Sequence, residues 1–146
     1  MEPEPTPIII LTGKRRPHEL MLLGFSILSG VAFLLGAPRP ASMGSEMGGT
    51  WVDLWAASLA ISGAVGLLGC YWKDNLRQGL LLERSGMLIG AAAVFGYAMQ
   101  VYSYNGTKAL FAGGFCLAWA FSNVARSLQI GKDLDSLRGA RDGRGG

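Results

Sequence analysis

The chain has 146 residues, of which 50% are hydrophobic and only 16% charged, with a formal net charge of +3. Soluble domains carry about 25% charged residues, so the composition argues against an ordinary soluble domain and leaves room for one small unit. The positions of the basic residues follow a membrane topology. The positive charge therefore does not indicate nucleic-acid binding.

Four uncharged apolar segments are each long enough to cross a bilayer, which requires roughly 20 residues per helix. They are 20–37, 54–72, 85–104 and 109–125. All Lys and Arg residues except Arg39 and Lys108 precede the first segment, separate the second from the third, or follow the fourth. Because positive charge marks the cytoplasmic side, we predict an all-α integral membrane four-helix bundle, N-in/C-in, in the cytoplasmic (inner) membrane.

Residues 1–19 form a predicted cytoplasmic tail whose first part is rich in Pro and Glu. The apolar stretch 8–11 either lies on the membrane surface or docks on the sheet edge of a partner. Pro17 suits the first turn of a helix, where its missing N–H costs nothing. The exit of the first span has no small-x-small cleavage site, which favours a retained helix over a signal peptide.

Aromatic residues gather at both ends of the predicted spans, as expected for membrane interfaces. They are Trp51, Trp55, Tyr97, Tyr102 and Tyr104 at the outer ends and Tyr71 and Trp72 at the inner end. This placement agrees with the inner and outer ends that the Lys and Arg residues predict. The outer connection, 41–50, carries no usable pattern.

Three charged residues mark the inner interface, because at mid-bilayer each would cost about 2.5 to 3.5 kcal/mol. Glu83 and Arg84 place the start of the third span at Ser85, on a helix that begins near Leu76. Arg126 follows the fourth span, and its long stem allows the charge to snorkel toward water.

The remaining connections and the C-terminal region complete the predicted domain organisation. Asn-Gly-Thr at 105–107 predicts a tight turn that makes the third and fourth helices antiparallel neighbours. Residues 126–146 are a cytoplasmic extension, amphipathic through about Arg138. A flexible basic tail, 139–146, then contacts anionic lipid headgroups.

Small residues recur at four-residue spacing and allow helix backbones to approach closely within lipid. The candidate packing or oligomer face comprises Ser58, Ser62, Gly66, Cys70, Gly86, Gly90, Gly114, Ala118 and Ser122. Two interpretations remain open. The faces pack the helices of one bundle together, or some of them, above all that of the second helix, join copies into a homo-oligomer.

Polar residues within the spans are candidate site residues. Gln100 and Asn123 either bond across helices or line a permeation path. Glu19 and Glu83 are placed at the interface, so a proton-coupled exchanger with a mid-depth carboxylate is disfavoured. His18 has no partner at metal-ligand spacing. No catalytic, cofactor-binding or metal-ligating constellation is present in the sequence, which indicates that the protein is not an enzyme.

In size, helix number, short connections and a charged cytoplasmic tail at 132–144, the chain resembles the small holin-like membrane proteins of bacteriophages. The resemblance is one of architecture and carries over no functional residue. It implies timed self-association in the inner membrane and the opening of lesions for lysis.

Other functions remain open beside the holin-like one. The chain could be an accessory or modulatory subunit of a membrane complex, including a superinfection-exclusion-type protein, with a membrane-protein partner and no pore activity. The contacts would then be the 8–11 stretch and the helix around Leu134 and Leu137. A passive structural element of an envelope or particle is a third interpretation, and a transporter a fourth.

Overall fold

The computed structural model of the protein describes residues 17–44 and 48–142, and these form helices and turns without strands. In chain order the elements are α1 (Pro17–Leu34), α2 (Ala41–Gly44), α3 (Gly49–Tyr71), α4 (Leu76–Asn105), a 3-10 turn (Gly106–Ala109) and α5 (Leu110–Asp142). The predicted all-α class is confirmed. The 8–11 stretch and residues 143–146 lie outside the described residues.

The four long helices pack in chain order, each antiparallel to the one before. α1 packs on α3, α3 on α4 and α4 on α5. Gly30 and Gly63 mark the antiparallel register of α1 and α3, since Gly30 lies against Ala56 and Gly63 against Leu23. The remaining side of the bundle, between α1 and α5, is the least packed.

Local sequence explains where the helices begin and end. Asn75 caps α4, its side chain accepting hydrogen bonds from the N–H groups of Arg77 and Gln78 at 3.1 and 3.3 Å. Gly36, with φ +93°, ends α1 in a Schellman motif: Ala37 N–H bonds to Ala32 O and Gly36 N–H to Phe33 O.

The reversal between α4 and α5 falls at the predicted Asn-Gly-Thr turn. Gly106 has φ +56°, which a residue with a side chain adopts only with strain. The 3-10 turn that it opens takes four residues, so α5 folds straight back along α4. The two helices are therefore antiparallel neighbours.

The outer connection contains an element for which the sequence offered no pattern. The short helix α2 packs against α4 and buries Ser42 and Met43. Arg39 bonds to Asp53 at 2.8 Å and ties this connection to the first turns of α3. The pair is exposed, so its contribution is small, about 0–1 kcal/mol.

Three stretches among the described residues are long and apolar enough to cross a membrane: 17–34, 49–71 and 76–139. The third contains both α4 and α5. Large apolar side chains face outward on these helices, including Met21, Leu28 and Phe111, which is 90% exposed. An apolar exterior of this kind is the surface that a bilayer covers.

The helices differ in length. At 1.5 Å per residue, α1 is about 27 Å long and α3 about 35 Å, whereas α4 and α5 reach roughly 45 and 50 Å. We call the end where α3 ends and α4 begins the basal end. α5 is helical there to Asp142, and the flexibility expected of residues 139–146 stays a prediction.

Candidate functional site

A cluster of three charged side chains lies inside the bundle near its basal end. Arg126 of α5 donates from Nε to Glu83 Oε1 at 2.9 Å, and its Nη2 lies 2.7 Å from the same oxygen. Arg126 Nε is also 3.6 Å from Glu19 Oε2 of α1. Three helices thus contribute one charge each, and we call this group the ionic cluster.

The ionic cluster is removed from water. Glu83 is 6% exposed and Arg126 7% exposed, and the Glu19 side chain is 13% exposed. Taking charges out of water is expensive, and breaking such a buried pair on one side leaves an uncompensated charge. With two carboxylates and one guanidinium, the cluster has a formal charge of −1.

The long helix α3 contributes no charge to the ionic cluster and approaches it through a glycine. Gly69 of α3 lies directly against the backbone N of Glu83, where an added Cβ would overlap that atom. Glycine at this position lets α3 close over α4 at the level of the cluster.

A polar column continues from the ionic cluster toward the middle of the bundle. Asn123, one turn before Arg126 on α5, and Ser62 of α3 both lie beside Gly90 of α4. Ser62 Oγ donates to Leu59 O at 2.9 Å. Ser26 of α1 is also buried. Ser26, Ser62 and Asn123 are thus buried within the spans, while many large apolar side chains are exposed.

Aromatic rings from three helices contact one another toward the end of the bundle opposite the ionic cluster. Trp55 of α3 contacts Phe33 of α1 and Tyr97 of α4, with ring centroids 5.6 and 5.4 Å apart. Its indole N–H donates to Ala93 O at 3.0 Å. The half-buried ring of Trp55, a predicted outer-interface residue, thus joins three helices.

A cavity of about 250 Å³ opens between α1 and α5 beside these rings. It is lined by Phe25 and Ser29 of α1 and by Cys116 and Trp119 of α5, among others. Phe25 and Trp119 contact each other with centroids 6.1 Å apart. We call the boundary between α1 and α5 the α1–α5 seam. This ring contact and the Glu19–Arg126 pair join the two helices on the basal side of the cavity.

The predicted packing residues divide between the interior and the surface. Ser62, Gly66, Gly86 and Gly90 are buried between α3 and α4, where a Cβ on Gly86 would overlap the backbone of Gly66. Ser58, Cys70, Gly114 and Ser122 are half-buried, and Ala118 is exposed. The central part of the small-residue face on α3 thus packs on another helix of the same chain. This arrangement corresponds to the first of the two interpretations that the sequence left open.

The two intramembrane amides lie apart. Asn123 belongs to the polar column, and Gln100 is half-buried near the outer end, beside Tyr97 and Ser103. Neither side-chain amide forms a hydrogen bond to another helix within the described part of the chain. The interhelical bond and the permeation path both stay predictions for these two residues.

The three predicted interfacial charges differ in how far they are exposed. The side chain of Arg126 turns into the bundle toward Glu83 and Glu19 instead of snorkelling to water. Only Arg84 of the three predicted interfacial charges is partly exposed, and its Nε is buried without a hydrogen-bond partner among the described residues. One signal in the sequence could have revealed the cluster: Glu19, Glu83 and Arg126 fall at the same predicted depth with opposite charges.

The described residues contain no group of three or more His, Cys, Asp or Glu side chains that could hold a metal ion. His18 is exposed at the start of α1. Neither Cys70 nor Cys116 forms a disulfide bond within the described residues. The comparisons with protein-family models, curated proteins and solved structures each found no match for this chain.

Proposed function

We propose that the chain is a four-pass protein of the inner membrane with both termini in the cytoplasm, and that it acts by association of membrane helices without catalysis or cofactor. The support is the asymmetry of Lys and Arg together with the apolar exterior of the bundle. On this assignment α4 and α5 are the third and fourth passes, and the basal end faces the cytoplasm.

The activity that we propose is holin-like permeabilisation of the membrane. The observation that supports it most is the contrast between the polar column inside the bundle and the weakly packed α1–α5 seam beside it. That seam is held by the 3.6 Å contact of Glu19 with Arg126 and by one aromatic pair. A bundle that opens there brings its polar side chains to the surface.

Exposure of these side chains to lipid gives a physical reason for self-association. Polar and charged groups facing hydrocarbon are costly, and copies that turn their opened seams toward one another cover those groups again. A ring of such copies has a polar interior and an apolar exterior. In this proposal the homo-oligomer forms through the opened seam, since the small-residue face of α3 is already occupied by α4.

Induced expression in a bacterial host tests the activity. We expect loss of membrane potential, followed by loss of viability, measured with a voltage-sensitive dye and by colony counts. Sustained growth of cells that contain the protein in their membranes, with an unchanged potential, contradicts permeabilisation.

A reversible crosslink across the seam tests the mechanism. Ser29→Cys and the native Cys116 line the same cavity, so a short bis-methanethiosulfonate reagent should join α1 to α5 in a Cys70→Ser background. We expect the crosslinked protein to release no dye from loaded vesicles until a reducing agent is added. The control carries Cys116→Ser as well, and the reagent should leave its dye release unchanged.

An accessory subunit is the second candidate, and the observation that favours it is the helical extension of α4 and α5 beyond the other two helices. Such an extension offers a surface to a membrane-protein partner. Removal of residues 130–146 should then abolish co-purification of that partner, whereas a permeabilising protein that acts alone co-purifies with none.

A further inference from the structure

The extension of α4 and α5 encloses a groove that permeabilisation does not require. It lies between the first turns of α4 and the last turns of α5 at the basal end, and its volume is about 790 Å³. We call it the basal groove. Its apolar lining includes Leu81, Leu128 and Leu137, and Leu81 and Leu128 are exposed large hydrophobic residues.

The charged residues that line the basal groove are mostly cations. They are Arg77, Arg84, Lys132 and Arg138, with Asp135 as the one carboxylate among the lining residues. None of the four cations forms an ion pair with another side chain in the described parts of the chain. The groove therefore holds an excess of positive charge, four cations against one carboxylate.

Arg84 gives the most specific indication of a missing partner. Its Nε is buried and has no hydrogen-bond acceptor within the described residues, although buried donors in proteins are almost always bonded. The guanidinium lies beside Gly131 of α5, where an added Cβ would be 3.7 Å from Cζ. An acceptor for this group has to come from outside the described chain.

The position of the groove determines which acceptor fits. Arg84 directly follows Glu83 of the ionic cluster, so the groove begins where α1 and α3 end and where the apolar spans give way to charged helix. Exposed leucines on this boundary can contact acyl chains, while the cations face headgroups. Basic pockets between membrane helices on the cytoplasmic side are suited to anionic lipid headgroups.

We propose that the basal groove binds the phosphodiester headgroup of an anionic phospholipid. Arg84 and Arg138 pair with the phosphate oxygens, Arg77 and Lys132 add electrostatic attraction, and the acyl chains run along Leu81 and Leu128 into the bilayer. Guanidinium groups suit this role because they can bond two phosphate oxygens at once. This binding is independent of pore formation, so failure of one proposal leaves the other standing.

Lipid titration of the purified full-length protein in a neutral detergent tests the assignment. Native mass spectrometry follows adducts with phosphatidylglycerol and with phosphatidylcholine of the same acyl chains. We expect phosphatidylglycerol to bind more tightly by roughly 25-fold, which is about 2 kcal/mol and corresponds to two basic contacts. Equal binding of the two lipids overturns the proposal.

Two variants with the same change in net charge locate the site. Arg84→Gln with Arg138→Gln should remove the preference for phosphatidylglycerol, whereas Arg39→Gln with Lys108→Gln, at the opposite end of the bundle, should retain it. If both pairs of substitutions lose the preference equally, general surface charge explains it and the groove assignment is wrong. Helical circular dichroism establishes that each variant is folded.

A third variant removes space instead of charge. Gly131→Leu fills the floor of the basal groove and keeps all four cations, and we expect it also to lose the preference. Retained preference in this folded variant contradicts binding in the groove. Inorganic phosphate is the last probe: if it displaces phosphatidylglycerol at equal concentration, the ligand is the free anion and the lipid assignment is wrong.

Discussion

At the scale of single residues, Arg126 determines how the inner charges are satisfied. It lies within ion-pair distance of carboxylates on two other helices, and all three side chains are largely buried. Replacing a whole buried ion pair with apolar groups is often neutral, but removing one partner alone is strongly destabilising. Arg126 therefore has a larger effect on stability than either carboxylate taken singly, because both depend on it.

We predict that Arg126→Met lowers the free energy of unfolding by about 3–5 kcal/mol, since it leaves two buried carboxylates facing each other. Chemical denaturation in mixed micelles measures the change. Adding Glu83→Gln to this variant should restore a substantial part of the loss.

Glu19→Gln alone provides the matched comparison for the Arg126 variant. Its contact with Arg126 is longer, 3.6 Å, and its side chain is more exposed than that of Glu83. We expect a decrease of less than half that of Arg126→Met. A larger effect for Glu19 than for Arg126 contradicts the central position of the arginine.

The sequence predicts the residues of the ionic cluster but not their environment. Glu83 and Arg126 are readily placed near the inner interface, because single charges are excluded from mid-bilayer. Whether an interfacial charge faces water or a neighbouring helix depends on helix rotation, and one charged residue does not specify that rotation. Asn123 was similarly identified as polar and buried, yet its surroundings depend on the close approach of α3 to α4 at Gly90.

At the scale of helices, α3 and α4 pack at very close range. Gly66 and Gly69 of α3 lie against Gly86 and Glu83 of α4 with backbone nearly touching backbone. Without a hydrophobic force between helices in lipid, close packing of this kind is a main source of association.

We predict that Gly86→Ala destabilises the protein by about 1–3 kcal/mol, because the new methyl group overlaps the Gly66 backbone and forces the helices apart. Gly96→Ala on the same helix is the control, since nothing lies within 4 Å of its Cβ position. That change should be neutral or stabilising by about 0.5–1 kcal/mol. Thermal unfolding in detergent compares the two, and equal effects would argue against a tight α3–α4 seam.

Spacing of small residues predicts which helix faces pack closely but not which helices they join. The four-residue spacing at Ser58, Ser62 and Gly66 indicates a narrow face on α3, and part of it packs on α4. Packing of this face on a helix of another copy would require the same spacing of small residues. The spacing alone therefore does not distinguish the two arrangements. The short helix α2 could not be predicted, because Met43 is buried by contacts distant in sequence and not by a local pattern.

At the scale of the whole molecule, α4, the 3-10 turn and α5 form one hairpin whose two ends differ in charge. Lys108 lies in the turn, and the opposite end carries the basic groove. In a four-pass protein with both termini inside, the turn faces outward and the C-terminal end of α5 faces the cytoplasm. In that topology the two ends are accessible from different sides of the membrane.

We predict that a membrane-impermeant maleimide labels Lys108→Cys in intact cells but labels Ser136→Cys only after the cells are opened. Both positions are exposed, and both variants carry Cys70→Ser and Cys116→Ser. Gel shift of the labelled protein provides the measurement. Labelling of both residues in intact cells contradicts the four-pass topology with both termini inside.

Packing of each helix on its predecessor also sets an order of events during synthesis. The N-terminal part of a chain emerges first, so α1, α3 and α4 can pair in turn as each becomes available. Glu19 and Glu83 are then both present before Arg126 is made. The arginine is supplied last, from the final span, and a nascent chain that stops before α5 holds two carboxylates with no cation between them. Completion of the fold thus coincides with the arrival of the one cation that pairs with both carboxylates.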